Sequence, residues 1–210
     1  MELQSLMDAM NSNKGWHGYC SFYKKLFDPV RLSYQRFFEI GISEGSSLLA
    51  WKEYFPNATI YGIDIHIPQR VKGVDRIQYA ICDQASSESL LHTLESWGNP
   101  CMDCILDDGG HHVRQQRVSI ETLWKFVAPG GFYIIEDLHT NIRYYHSNHP
   151  HMTPQSTFID EEPTIHEKII RCLEGDKSGF PFSDEIEEIF YYMNPNTKSL
   201  SCAFQKKKIG

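Results

Sequence analysis

RFFEIGISEGSSLLAWKEYFPNATIYGIDI, residues 36 to 65, decides the fold. RFFEIGI is an apolar, aromatic run bounded by Gly and Ser, and reads as a strand over 36–42. SSLLAWKEYF (46–55) places Leu48, Trp51 and Phe55 at helical spacing, and Pro56 ends the helix. ATIYGIDI (58–65) is a second strand. A strand, a Gly-containing turn, a helix and another strand make one crossover unit of a parallel sheet.

The pattern continues outward from that unit. RIQYAIC (76–82) reads as a strand and SSESLLHTLESW (86–97) as a helix with Leu90, Leu91 and Leu94 on one face. MDCILD (102–107) is a fourth strand, and HVRQQRVSIETLWKFV (112–127) a helix with Val118, Leu123 and Phe126 inward. Pro129, Gly130 and Gly131 read as a turn before the fifth strand, GFYIIED (131–137). EPTIHEKIIRCLEG (162–175) is a helix. IEEIFYYMN (186–194) and SLSCAFQKK (199–207) read as a hairpin around NPNT. The predicted fold is therefore α/β: a doubly wound, mostly parallel seven-stranded sheet with a C-terminal β-hairpin. Residues 1–34 are expected to form a helical cap. Residues 138–160, rich in His, Pro, Asn and Tyr, are too long for a simple connection and read as a substrate loop or lid.

The 210 residues favour one domain, with roughly 70% of the unfolded surface buried. A net charge of −7 argues against a broad nucleic-acid surface. No apolar run approaches a membrane span, and the N-terminus lacks the basic and apolar regions of a signal peptide. The six cysteines are scattered; only Cys101 and Cys104 form a CxxC, inside a strand-like run, and read as ordinary reduced thiols. A cytoplasmic location is the expectation.

In such sheets ligands bind outside the carboxyl ends of the strands, and there the chain is acidic. Gly41, Ser43 and Gly45 form a loop before a helix N-terminus, where free N–H groups can meet a polar ligand, although a plain glycine turn reads equally well. Glu39 sits at the first strand end and could accept from an amine or hydroxyl. Asp64 lies 19 residues beyond Gly45 at the end of the second strand, a placement suited to a ribose diol; a helix cap is the alternative. Asp83 and Gln84 could meet an adenine amino group or cap the 86–97 helix. CILDDGGHH and YIIEDLH end in two carboxylates each, Asp107 with Asp108 and Glu136 with Asp137. Adjacent like charges repel. Asp108, Glu136 and Asp137 could share a hard cation, Mg²⁺ or Mn²⁺, or cap helices instead. Asp107 belongs to the cofactor side or to its own loop. His111, three residues past Asp108, is the candidate general base.

Together these motifs resemble class I S-adenosylmethionine-dependent methyltransferases, in particular the metal-dependent O-methyltransferases of macrolide and related natural-product sugars. The resemblance rests on KGWHGYCSFY (14–23), EIGISEGSSL (39–48), WKEYFPNATIYGIDI (51–65), LDDGGH (106–111) and VAPGGFYIIEDL (127–138), in that order. It implies that Glu39, Gly41 and Gly45, with Ser43 in the same loop, line the methionine part of S-adenosylmethionine. It places Asp64 on the ribose and Asp83 and Gln84 near the adenine, with Asp107 on the cofactor side. It further implies a divalent cation on Asp108, Glu136 and Asp137 that also holds substrate hydroxyls, and His111 as the base. The implied acceptor is a glycosylated or polyhydroxylated small molecule. Relatives have Ser where this chain has Gly110, the chain is expected to lack an auxiliary domain, and the likeness fades after residue 140. A substrate wall would then come from the N-terminal segment, the 138–160 loop or a second subunit of a homo-oligomer. A metal-independent or hydroxylase-associated methyltransferase, or a silent cofactor-binding scaffold, are the rival readings.

Overall fold

A computed structural model describes residues 2–142 and 158–208. Seven strands form one sheet: β1 (Arg36–Ile40), β2 (Thr59–Asp64), β3 (Ile77–Ile81), β4 (Met102–Asp107), β5 (Val127–Ile135), β6 (Ile186–Met193) and β7 (Leu200–Lys206), in the order β3-β2-β1-β4-β5-β7-β6. The first five are parallel, and β7 runs antiparallel to both β5 and β6. Strand order reverses between β1 and β4, which opens the crevice that α/β sheets use for ligands.

Helices cover both faces. α1 (Leu3–Ala9), α2 (Tyr19–Phe27) and α3 (Ser46–Tyr54) pack on one side, where Phe27, Phe37, Trp51 and Phe55 form an aromatic core. Phe37 and Trp51 rings lie 4.9 Å apart, a separation that adds edge and face electrostatics to area burial. α4 (Ser87–Ser96), α5 (Val113–Leu123) and α6 (Ile165–Leu173) cover the other face, with Phe38, Leu90, Ile105, Leu123 and Ile169 inside. Alternation along β1 divides the layers: Phe37 faces the first core and Phe38 the second.

Three expectations shift. The helix read over 112–127 is an α-helix only to Leu123, followed by a 3₁₀ turn at Trp124–Phe126. Val118 and Phe126 are partly buried, against full burial of Leu123. Pro129, Gly130 and Gly131 do not precede the fifth strand but bulge within it: Met102 pairs with Val127 and Cys104 with Phe132. Proline has no N–H for the ladder, so the extra residues loop out of register without ending the strand. The substrate loop expected at 138–160 lies mostly outside the described residues, as do His146, His149 and His151; its first residues, Leu138–Asn141, form a 3₁₀ turn. Among the described residues no helix is long and apolar enough to cross a membrane. All six cysteines are free thiols, Cys104 buried in β4 and Cys101 exposed.

Candidate active site

The parallel strands β1, β2, β4 and β5 end along one edge of the sheet, and the acidic residues end with them. Asp107 of β4 pairs with Ile135 of β5, so Asp108 and Glu136 begin neighbouring loops. Gly41, just past β1, has φ +92°, and a Cβ there would meet the Asp108 carbonyl oxygen at 2.1 Å. Only glycine admits that approach, and it brings the β1 loop against the loop carrying Asp108 and His111.

Two open cavities meet at this edge. One, about 350 Å³, is lined by Lys14, Ser43, Asp108, His111 and Asp137 among others. The second, about 220 Å³, is lined by Asp64, Ile65, Gln84 and Gln115. They share Gly41, Ser43, Asp108 and Gly109 and so form one trough across the switch point. A further cavity of about 390 Å³ lies between the end of α6 and the start of β6. That is the amino end of the strands, away from the acidic edge, where sheets of this kind do not place their ligands.

Within the trough, one oxygen or nitrogen each from Asp108, His111 and Asp137 lie within 4.8 Å of one another. His111 Nε2 is 3.5 Å from Asp137 Oδ2, and the Tyr19 hydroxyl donates to Asp137 Oδ1 at 2.6 Å. The His111 Nδ1 is buried and has no hydrogen-bond partner among the described residues. The two carboxylates suit a small divalent cation, with the imidazole beside them as a proton acceptor. Burial would raise the Asp137 carboxyl, but the neighbouring His111, His139 and Tyr19 outweigh it and hold the carboxyl below its ordinary range.

Glu136 stands one step deeper, 2% exposed. Its Oε1 accepts from the Lys14 ammonium at 2.8 Å and from the Tyr23 hydroxyl. Lys14 also pairs with Asp108 and lies 3.2 Å from Glu39 Oε1. Burial and the Asp108 charge push the Glu136 carboxyl up, with Lys14 opposing. Glu39 is fully buried, takes a hydrogen bond from Ser47 at 2.8 Å, and is pushed up to about 7, chiefly by burial. The amine that Glu39 meets is thus the chain's own.

The remaining expected residues divide. Asp64 reaches the Gly loop: its Oδ2 accepts from the Ile42 and Ser43 N–H groups, both at 2.8 Å, and the carboxylate also lines the smaller cavity. Gln84 lines that cavity while its amide bonds Asp107, Ser119 and the Gly110 N–H. Asp107 is fully buried and spends its oxygens on Gln84, the Gly109 N–H and Tyr133; burial pushes it up to about 6. These partners lie after β3, in the loop after β4, and on β5. Asp83 is exposed and accepts from the Ala85 N–H, while Ser86 caps α4. Gly110 makes room for Gln115: a Cβ there would sit 2.1 Å from the Gln115 Oε1, which accepts from the His112 N–H at the start of α5.

Lys14, Tyr19 and Tyr23 had no role assigned from the sequence. All three fall in KGWHGYCSFY. Tyr19 and Tyr23 are spaced i,i+4 on α2, which puts both hydroxyls on one helix face, and that spacing was the available signal. His17, in the same stretch, bonds Ser199 through Nδ1 at 2.7 Å and stacks on Tyr19.

No family model matches the chain. A solved structure of MycE, a methyltransferase of the mycinamicin biosynthetic pathway in complex with Mg, S-adenosylhomocysteine and mycinamicin VI, superposes with a TM-score of 0.78 at 25% identity, over 99% of this chain and 55% of that one. The chain has the fold of a class I S-adenosylmethionine-dependent methyltransferase. By sequence this methyltransferase-fold chain is 34% identical over 132 residues to a tetracenomycin-C rhamnosyl 3'-O-methyltransferase of Streptomyces olivaceus, covering 60% of the chain and 33% of the relative. It is 34% identical over 131 residues to the mycinamicin VI 2''-O-methyltransferase of Micromonospora griseorubida, over 59% of the chain and 32% of the relative. The chain therefore spans about a third of the length of these curated relatives.

Proposed function

We propose that the chain is an S-adenosylmethionine-dependent, divalent-cation-assisted O-methyltransferase acting on a hydroxyl of a glycosylated or polyhydroxylated small molecule. The observation that carries this is the convergence of Asp108, His111 and Asp137 at one end of a trough whose other end holds Asp64 and Gln84. The sequence likeness to enzymes that methylate sugar hydroxyls supports the acceptor class.

Gly41, Ser43 and Gly45 form the backbone wall for the amino-acid part of the methyl donor, and Asp64 is the carboxylate for its ribose. Gln84, Gln115 and Ile65 surround the space for its base. Asp108 and Asp137 are the cation ligands within reach, and Glu136 is the third carboxylate of the set. When bound, the cation lowers the pKa of a hydroxyl and orients it, and the methyl donor supplies an electrophilic sulfonium methyl. His111 takes the acceptor's hydroxyl proton at Nε2, and the Asp137 carboxylate beside it stabilises the imidazolium that forms. Tyr19 fixes Asp137 from the opposite side, leaving Asp137 Oδ2 toward the trough.

The test is turnover. Purified protein, S-adenosylmethionine, Mg²⁺ and a panel of rhamnosylated and other glycosylated polyketides should yield S-adenosylhomocysteine with at least one acceptor, and EDTA should suppress it. Equal rates with Mg²⁺ and with EDTA would show that turnover needs no cation.

A further inference from the structure

Lys14 is 1% exposed, and its ammonium meets carboxylates from three parts of the chain: Asp108 after β4, Glu136 after β5, and Glu39 in β1. A buried ammonium is held only where several acceptors repay its desolvation. Two of these acceptors, Asp108 and Glu136, are oxygens that the cation reading above also needs. Mg²⁺ binds oxygen at about 2.0–2.1 Å, so a metal ion bridging those two oxygens and an ammonium bridging them exclude one another.

The surroundings are built for exchange. Glu136 keeps the Tyr23 hydroxyl, and Glu39 keeps the Ser47 hydroxyl, if the ammonium withdraws. Lys14 stands on the segment between α1 and α2, where Asn11, Ser12 and Asn13 line the larger cavity. Lys14 itself lines that cavity, so its side chain has open space beside it.

We propose that Lys14 is a tethered counter-ion that competes with the divalent cation for Asp108 and Glu136. It holds the carboxylates together while the cation is away, and it gives up both oxygens when the cation engages them. The proposal rests on the reading of these strand ends as a cation site. It makes the cation exchangeable, because departure leaves an ammonium among these three carboxylates.

Mn²⁺ binding to the full chain without methyl donor, followed by electron paramagnetic resonance of the free ion, separates the possibilities. Lys14→Met should bind Mn²⁺ about tenfold tighter or more, since one opposing charge is gone. Adding Glu136→Gln should return most of that gain. Lys14→Arg, which keeps the charge, should stay within about threefold of the parent chain. Equal or weaker Mn²⁺ binding by Lys14→Met overturns the role of Lys14 alone, whereas no binding by any of these proteins overturns the cation reading beneath it. A second measurement does not depend on a variant folding. In ¹⁵N side-chain spectra of the parent chain, the slowly exchanging buried ammonium should shift at saturating Mg²⁺; an unmoved signal contradicts the proposal.

Discussion

His111 Nε2 faces Asp137 Oδ2 across 3.5 Å, and both residues hold left-handed backbone, φ +60° and +54°. Each conformation costs on the order of 1 kcal/mol for an L-residue, less for His and Asp, which tolerate this region better than most. Two such residues facing each other at adjacent strand ends mark a place where side-chain direction took precedence over backbone comfort. The turn at His111 aims the imidazole into the trough, and the turn at Asp137 aims its carboxylate back at it.

If His111 carries the acceptor proton, His111→Ala should lower kcat by about 10²–10⁴. The dissociation constant for S-adenosylhomocysteine, measured by calorimetry, should stay within about threefold, because the imidazole lies at the other end of the trough from Asp64. A large loss of that affinity would reassign His111 to the methyl donor's site.

Tyr19→Phe removes the hydroxyl that donates to Asp137 Oδ1 and accepts from the Asp137 N–H. Mn²⁺ affinity should fall about tenfold, the usual scale for loss of an orienting partner behind a ligand. Mn²⁺ titration of the variant checks this, and unchanged affinity would show that Asp137 is held without Tyr19.

Gly41→Ala tests the backbone approach that joins the two halves of the trough. The added Cβ meets the Asp108 carbonyl oxygen at 2.1 Å in a φ +92° conformation. Urea unfolding should show a loss of about 1–3 kcal/mol or more, together with weaker S-adenosylhomocysteine binding. A variant of parental stability would mean that the Asp108 loop can move aside.

Much of this architecture was legible in residues 36 to 137. Buried parallel strands are short apolar runs separated by helices with their own period, so β1 to β5 and α3 to α5 fall within a few residues of their expected bounds. The acidic ends were equally plain, because a carboxylate closing an apolar strand has few structural motives. What the sequence concealed was direction. Asp107 and Asp108 are neighbours in the chain, yet one is buried on Gln84 and Tyr133 while the other faces the trough; alternation along an extended segment sends them opposite ways, and nothing in DD announces which goes where. Lys14 was equally hidden, because a lysine in a polar turn reads as solvated until the fold brings Asp108, 94 positions further on, to it. The bulge at Pro129–Gly131 was misread because Pro-Gly-Gly signals a turn locally, and only pairing with β4 shows the strand resuming its ladder.

Glu39 supplies a pH signature. Burial pushes its carboxyl up to about 7 in the folded chain, from 4.5 as the ordinary value. Between those values the folded chain keeps a proton that the unfolded chain releases, so this group's contribution to stability falls as pH rises through that window. With EDTA present, the parent chain should lose more thermal stability from pH 5 to pH 7.5 than Glu39→Gln does, by roughly 3 °C or more. Parallel pH profiles would show that Glu39 is charged throughout.

The most direct test of the central claim is calorimetric titration of the purified chain with S-adenosylhomocysteine. The chain should bind it saturably at one site, and Asp64→Ala, which removes a carboxylate of the smaller cavity, should weaken that binding. Absence of binding would contradict that claim.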